Sequence, residues 1–77
     1  MSHLPMLRAR AVIRAFETLG FVRVRQRGSH VFLRDPRTNR STVVPVHAGE
    51  DIDRGLLRCI LRELDLDVEI FLRALGR

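Results

Sequence analysis

The order of hydrophobic and polar positions divides the chain into helical and extended segments. In "LRARAVIRAFETLG", Val12, Ala15, Phe16 and Leu19 recur at helical spacing, which predicts an amphipathic helix. Pro5 is expected at or just before the first turn of this helix, where its missing N–H costs nothing. A glycine closes the segment, as is typical of a helix C-terminus.

Three short extended segments follow the helix. "FVRVRQ" alternates valine with arginine, so Val22 and Val24 are expected on one side of a strand and the arginines on the other. "SHVFLRD" alternates again, with Val31 and Leu33 on one face and the His30 face opposite. "TVVPV" predicts a third strand, and its proline, which donates no ladder hydrogen bond, favours an edge position.

Two helical segments complete the pattern. A helix is predicted from about Arg54 to Leu64, with Asp51 and Asp53 near its start favourably placed against the helix dipole. Its apolar stripe consists of Leu57, Ile60, Leu61 and Leu64. "DVEIFLRALG" predicts a short last helix, with Asp67 as its N-cap.

Three consecutive strands joined by short turns form an antiparallel meander, and the helices must bury their apolar stripes on one face of it. The sequence therefore predicts an α+β fold, with a three-stranded antiparallel sheet covered on one face by helices. This is the α-β-β-β-α arrangement of double-stranded-RNA-binding domains, with a short extra C-terminal helix. At 77 residues we expect one domain spanning residues 1–77.

Composition narrows the class of partner. All 14 basic residues are arginine. Residues 1–49 contain nine arginines and only two acidic residues, Glu17 and Asp35. Such a basic half favours a polyanion, because the guanidinium group matches phosphate geometry. The sequence has no apolar run long enough for a membrane span and no secretory signal pattern, and it contains one cysteine, Cys59. We expect a cytoplasmic protein with no membrane partner, in which Cys59 is a small core residue.

Three motifs follow one another along the chain: "LGFVRVRQRGSHVFLRD", "VVPVH" and "DRGLLRCILREL". In this order and spacing, they resemble the HicA (YcfA-like) family of toxins from bacterial toxin–antitoxin systems. The resemblance extends from about Leu4 to Leu72. It implies an mRNA endonuclease (mRNA interferase) that inhibits translation and is neutralised by a HicB-type antitoxin covering its active site. The catalytic histidine of the family, in Gly-Ser-His, falls on His30. Leu56 and Cys59 depart from the threonine and serine common in the family.

The chemistry of RNA cleavage agrees with this assignment. RNA carries its own nucleophile, the 2′-hydroxyl, so the protein needs a group that moves protons and cations that stabilise the phosphorane. An imidazole suits proton transfer at cellular pH, and His30 is therefore expected to act as general acid or base, with no metal and no cofactor. The residues expected to bind the mRNA substrate lie around it: Arg23, Arg25, Arg27, Gly28, Ser29 and Arg34.

Other interpretations remain open at this point. His47 is equally compatible with a second catalytic group and with a cap on the next turn. Phe32 shares the predicted face of His30 and could stack a base, although the four phenylalanines give no aromatic platform. The main alternative function is a non-catalytic RNA- or DNA-binding module that uses its arginines for phosphates alone. A structural subunit that docks an acidic protein is the third.

Overall fold

The computed structural model describes residues 3–76, so residues 1, 2 and 77 of the predicted domain lie outside the described part. The elements follow the predicted order, with two additional short strands. They are β1 (Leu7–Arg8), α1 (Ala9–Thr18), β2 (Val22–Arg27), β3 (His30–Arg34), β4 (Ser41–Pro45), β5 (Asp51–Ile52), α2 (Arg54–Glu63) and α3 (Val68–Ala74). The predicted α+β architecture of double-stranded-RNA-binding domains is confirmed. Over residues 3–76, no helix is both long and apolar enough to cross a membrane.

The first helix begins later than the sequence predicts. Pro5 lies in an irregular segment before β1, and α1 starts only at Ala9. β1 pairs with β5 in an antiparallel ladder in which Leu7 lies opposite Ile52. Both side chains are buried, as is Leu4, so the extended conformation inserts apolar groups into the core that another helical turn would direct elsewhere.

A glycine motif ends α1 and turns the chain into the sheet. Gly20 has φ +103°, and its N–H donates to the Glu17 carbonyl at 3.0 Å. The N–H of Phe21 donates to the Phe16 carbonyl, also at 3.0 Å, and the two rings pack with centroids 5.3 Å apart. These are the two hydrogen bonds and the apolar contact of a Schellman motif. The predicted role of this glycine is confirmed.

The three longer strands form one antiparallel sheet in the order β2-β3-β4. Pro45 therefore lies on an edge strand, as predicted. Val31, Leu33 and Val44 point to the helix-covered face and are fully buried. The opposite face, which we call the open face, carries His30 and the other alternate residues of β3 and is half-buried or exposed.

The regular alternation expected in the second strand is interrupted. Arg23 pairs with Leu33 and Arg25 pairs with Phe32, so the register shifts and Val24 is an extra, bulged residue. Val22 and Val24, expected on one side, are separated by this bulge, and both are exposed. The faces of the arginines change with it, as described below.

The two C-terminal helices close the core. Asp53 caps α2, accepting a hydrogen bond from the Leu56 N–H at 3.1 Å, whereas Asp51 belongs to β5 and forms an ion pair with Arg8. Asp67 caps α3 as predicted. The predicted stripe of α2 is buried.

A polar cluster fixes the turn between β3 and β4 to the end of α1. The buried carboxylate of Asp35 accepts hydrogen bonds from the backbone N–H and the guanidinium of Arg37, at 3.0 and 3.1 Å. The same guanidinium donates to the Leu19 carbonyl at 2.9 Å. The hydrogen bond from the Arg37 side chain, followed by that from its backbone, holds the pKa of Asp35 below its ordinary value.

Candidate nucleic-acid interface

A tight hairpin turn sets the position of His30. Only Gly28 and Ser29 connect β2 to β3, and Gly28 has φ +57°. A glycine with positive φ at the first of two turn positions is the arrangement of a type II′ hairpin. A Cβ built on Gly28 would meet no heavy atom within 4 Å. The turn is therefore open, and a phosphate group can approach its backbone closely.

His30 begins β3 on the open face, between an arginine and a proline. It pairs with Arg27 on one side and with Pro45 on the other. Side chains of directly paired residues have Cβ atoms about 5 Å apart. Arg27 is therefore the cation best placed to act on the same phosphate as His30, and both side chains are exposed to solvent.

Arg25 is the second cation on this face. It pairs with Phe32, the next open-face residue of β3 after His30. Its guanidinium lies over the phenyl ring, with Cζ 4.6 Å from the ring centroid. This cation–π contact holds the guanidinium over Phe32 on the open face and still leaves its N–H groups able to donate to phosphate oxygens.

Arg34 shares the open face but lies at the far end of the strand. Arg34 is four residue steps along the extended chain from His30, a distance of roughly 13 Å. Its Nη1 donates to Asn39 Oδ1 in the following turn at 3.3 Å. Arg34 therefore lies too far along the strand to act on the same group as His30.

The structure places Arg23 away from the other residues of the predicted site. Because of the bulge, it faces the helix-covered side of the sheet, where it pairs with the buried Leu33. Its Nη2 lies 3.8 Å from Glu17 Oε2 on α1. A one-residue bulge cannot be recognised in a segment that alternates valine and arginine, so Arg23 and Arg25 could not be separated by sequence pattern alone.

The second histidine lies near the same end of the sheet. The N–H of Val46 donates to the Ser29 carbonyl at 2.6 Å. This hydrogen bond holds the segment after β4 next to the turn between β2 and β3. His47 follows Val46, is exposed, and lines a cavity of about 270 Å³ with the acidic residues Glu50, Asp51 and Asp53. Its two interpretations both stay open. Within residues 3–76, no three His, Cys, Asp or Glu side chains converge as a potential metal site.

One feature near the open face was missed from the sequence. α2 lies beside the edge strand β4, and a groove of about 430 Å³ separates them. Cys59 faces this groove and is exposed, so its predicted place in the core is wrong. Leu56 lines the groove too and is 39% exposed. Leu56 and Cys59 both fall outside the buried stripe of α2. Their position outside the stripe was the sequence signal that these two side chains are exposed.

Comparison with protein families identifies a match that covers most of the chain. A family model described as the HicA toxin of bacterial toxin–antitoxin matches residues 9–66, from α1 to the end of the turn after α2. No curated protein shows a significant match to the chain.

Proposed function

Because the chain belongs to the HicA family of toxins from bacterial toxin–antitoxin systems, we propose that it is an mRNA endoribonuclease with His30 as its catalytic residue. The family establishes a toxin that has an antitoxin partner. The observation that supports the nuclease is the position of His30 on the open face, directly paired with Arg27 and one position along the face from Arg25.

The proposed reaction uses the 2′-hydroxyl of the RNA as its nucleophile. His30 takes the proton from that hydroxyl, or gives one to the leaving 5′-oxygen. The 2′-oxygen forms a bond to phosphorus while the bond from phosphorus to the 5′-oxygen breaks, leaving a 2′,3′-cyclic phosphate and a free 5′-hydroxyl. Arg27 and Arg25 stabilise the extra negative charge on the phosphorane. These steps require no metal and no cofactor.

The identity of the antitoxin partner is part of the same proposal. A HicB-type antitoxin would neutralise the toxin by covering His30 on the open face. The arginines there favour an acidic contact surface on the antitoxin. A substrate mRNA and an antitoxin of this kind imply that the protein acts in the cytoplasm.

The test is cleavage of a defined mRNA in EDTA by the wild type and by the His30→Ala variant. His3 offers a matched control, since it is also an exposed histidine. We expect His30→Ala to abolish cleavage and His3→Ala to leave it unchanged, while His47→Ala decides between the two interpretations of His47. Circular dichroism should show all three variants folded, because none removes a buried group.

A modified substrate tests the nucleophile. A 2′-deoxy residue at the mapped cleavage position should block cleavage there and leave other sites unaffected. Cleavage by His30→Ala at the wild-type rate would contradict the assignment. Equal RNA binding by wild type and variant, with no product from either, would instead favour the non-catalytic binding module.

A further inference from the structure

The open face is divided into a charged half and an apolar half. On the β2 side of β3 it carries Arg25 and Arg27. On the β4 side it carries Ser41, Val43 and Pro45, none of which is charged. A single-stranded RNA is divided in the same way, with phosphates along one edge and bases along the other. A strand that runs along β3 with its phosphates toward β2 must direct its bases toward β4.

The groove between β4 and α2 begins where such a base would arrive. Its walls include Phe32, Val43, Leu56, Cys59, Ile60 and Glu63. Phe32 belongs to both halves, since Arg25 covers its ring from the β2 side and the same side chain lines the groove. Its position two residues after His30 is about 7 Å along the strand. This is close enough for the base of a nucleotide that adjoins the scissile phosphate.

We propose that the groove between β4 and α2 is a nucleobase subsite, in which a base next to the scissile phosphate stacks on Phe32 and is recognised by Glu63. This inference rests on the proposed ribonuclease function, and it adds the residues that select the substrate. Stacking on an aromatic ring accepts any base, whereas an ionised carboxylate can only accept hydrogen bonds and therefore favours a base edge that carries a donor.

Glu63 is held in place for this role. Its Oε1 accepts a hydrogen bond from the hydroxyl of the buried Thr42 at 3.0 Å. The other oxygen, Oε2, is left to accept from a ligand. The exocyclic amino groups of cytosine, adenine and guanine can donate to it. At the position of the exocyclic amino group of cytosine, uracil presents an oxygen, which cannot donate and is repelled by the carboxylate, so this contact favours cytosine over uracil.

A nucleobase fits the groove better than an apolar side chain from a partner protein. An aliphatic side chain would cover Leu56 and Val43 equally well, but it would offer no donor to Oε2 of Glu63. It would also give no reason for the two arginines of β2, Arg25 and Arg27, to lie on the opposite half of the face.

The experiment measures binding, so that it does not depend on cleavage. Fluorescein-labelled oligo(C) and oligo(U) pentamers with 2′-fluoro sugars lack the nucleophile, and their Kd values follow from fluorescence anisotropy. Cytosine and uracil have nearly the same size, so the comparison isolates the hydrogen bond. We expect the wild type to bind oligo(C) about fivefold or more tightly than oligo(U).

Two variants and one control assign the effect to residues. Phe32→Leu keeps an apolar side chain and should weaken binding of both oligomers about fivefold or more. Glu63→Gln should remove the preference for oligo(C), because an amide can donate to uracil as well. Ile70→Ala changes a side chain on α3 that is exposed to a similar degree as Leu56 and should change neither Kd. Thermal unfolding of each variant confirms that it is folded.

The outcomes separate this inference from the nuclease. A protein that does not cleave RNA but prefers oligo(C) through Glu63 would refute the nuclease and support the subsite. Equal Kd values for the two oligomers, or a preference that survives Glu63→Gln, would overturn the subsite even if cleavage depends on His30.

Discussion

Replacement of Phe71 by alanine is expected to remove much of the stability of the fold. The side chain is fully buried on α3, and its ring packs against Phe16 with centroids 5.3 Å apart. Phenylalanine-to-alanine substitutions in a core cost about 3–5 kcal/mol. A chain of 77 residues has a free energy of unfolding of roughly 4–12 kcal/mol. The loss is therefore comparable with the total.

The neighbouring residue Ile70 supplies a matched control. It lies on the same helix but is 43% exposed, so Ile70→Ala should cost about 1 kcal/mol or less. Because the chain has no tryptophan or tyrosine, unfolding in urea is best followed by circular dichroism in the far ultraviolet. The urea midpoint of Phe71→Ala should fall by about 2 M or more relative to the wild type.

This comparison also tests where the folded unit ends. The family match stops at residue 66, whereas α3 begins at Val68. Equal urea midpoints for Phe71→Ala and Ile70→Ala would refute the reasoning, since α3 would then contribute no more through its buried face than through its exposed one. A strong loss for Phe71→Ala alone would make α3 part of the same core as α1.

Three further predictions concern pH, backbone and thiol chemistry. Arg37 lowers the pKa of Asp35 in the folded state, so the contribution of this carboxylate to stability is present above the unfolded pKa of about 3.9 and is lost as pH falls through the folded pKa. The difference in urea midpoint between the wild type and Asp35→Asn should therefore be present at pH 7 and shrink below about pH 4. A difference that stays constant with pH would contradict this prediction. Gly28→Val should destabilise the protein by about 1–2 kcal/mol, measured by thermal unfolding, because φ there is +57°; an unchanged Tm would contradict the turn geometry. The exposed thiol of Cys59 should react with a chromogenic disulfide reagent in the native protein at a rate close to that in the urea-unfolded chain. A much slower reaction in the native state would show that the thiol is buried and would contradict this prediction.

Elements that depend on local pattern were predictable from the sequence. The stripes of α1 and α2, the caps at Gly20 and Asp67, and the edge position of Pro45 each follow from residues close together in the chain. The helix-covered face of β3 was equally clear, because alternation alone separates buried from exposed positions there.

The features that could not be predicted depend on distant or subtle contacts. β1 and β5 are two residues each and exist only because Leu7 and Ile52 pair across the chain. The bulge at Val24 places Arg23 on the helix-covered side of the sheet while leaving Arg25 over Phe32 on the open face. The stripe of α2 already excludes Cys59 from the core, but its place in the groove depends on how α2 packs beside β4, which helical periodicity does not predict.

The connections of the sheet also bear on the order in which the protein folds. β2 and β3 are joined by a two-residue turn, and β4 follows after a short loop, so the face that carries His30 forms between neighbours in sequence. Closing short loops costs little chain entropy, and local contacts favour fast folding. The contact between Phe16 and Phe71 closes most of the chain. We therefore expect the hairpins to form early and the docking of α3 to come late, so that the arginine face is assembled before the core beneath it is sealed.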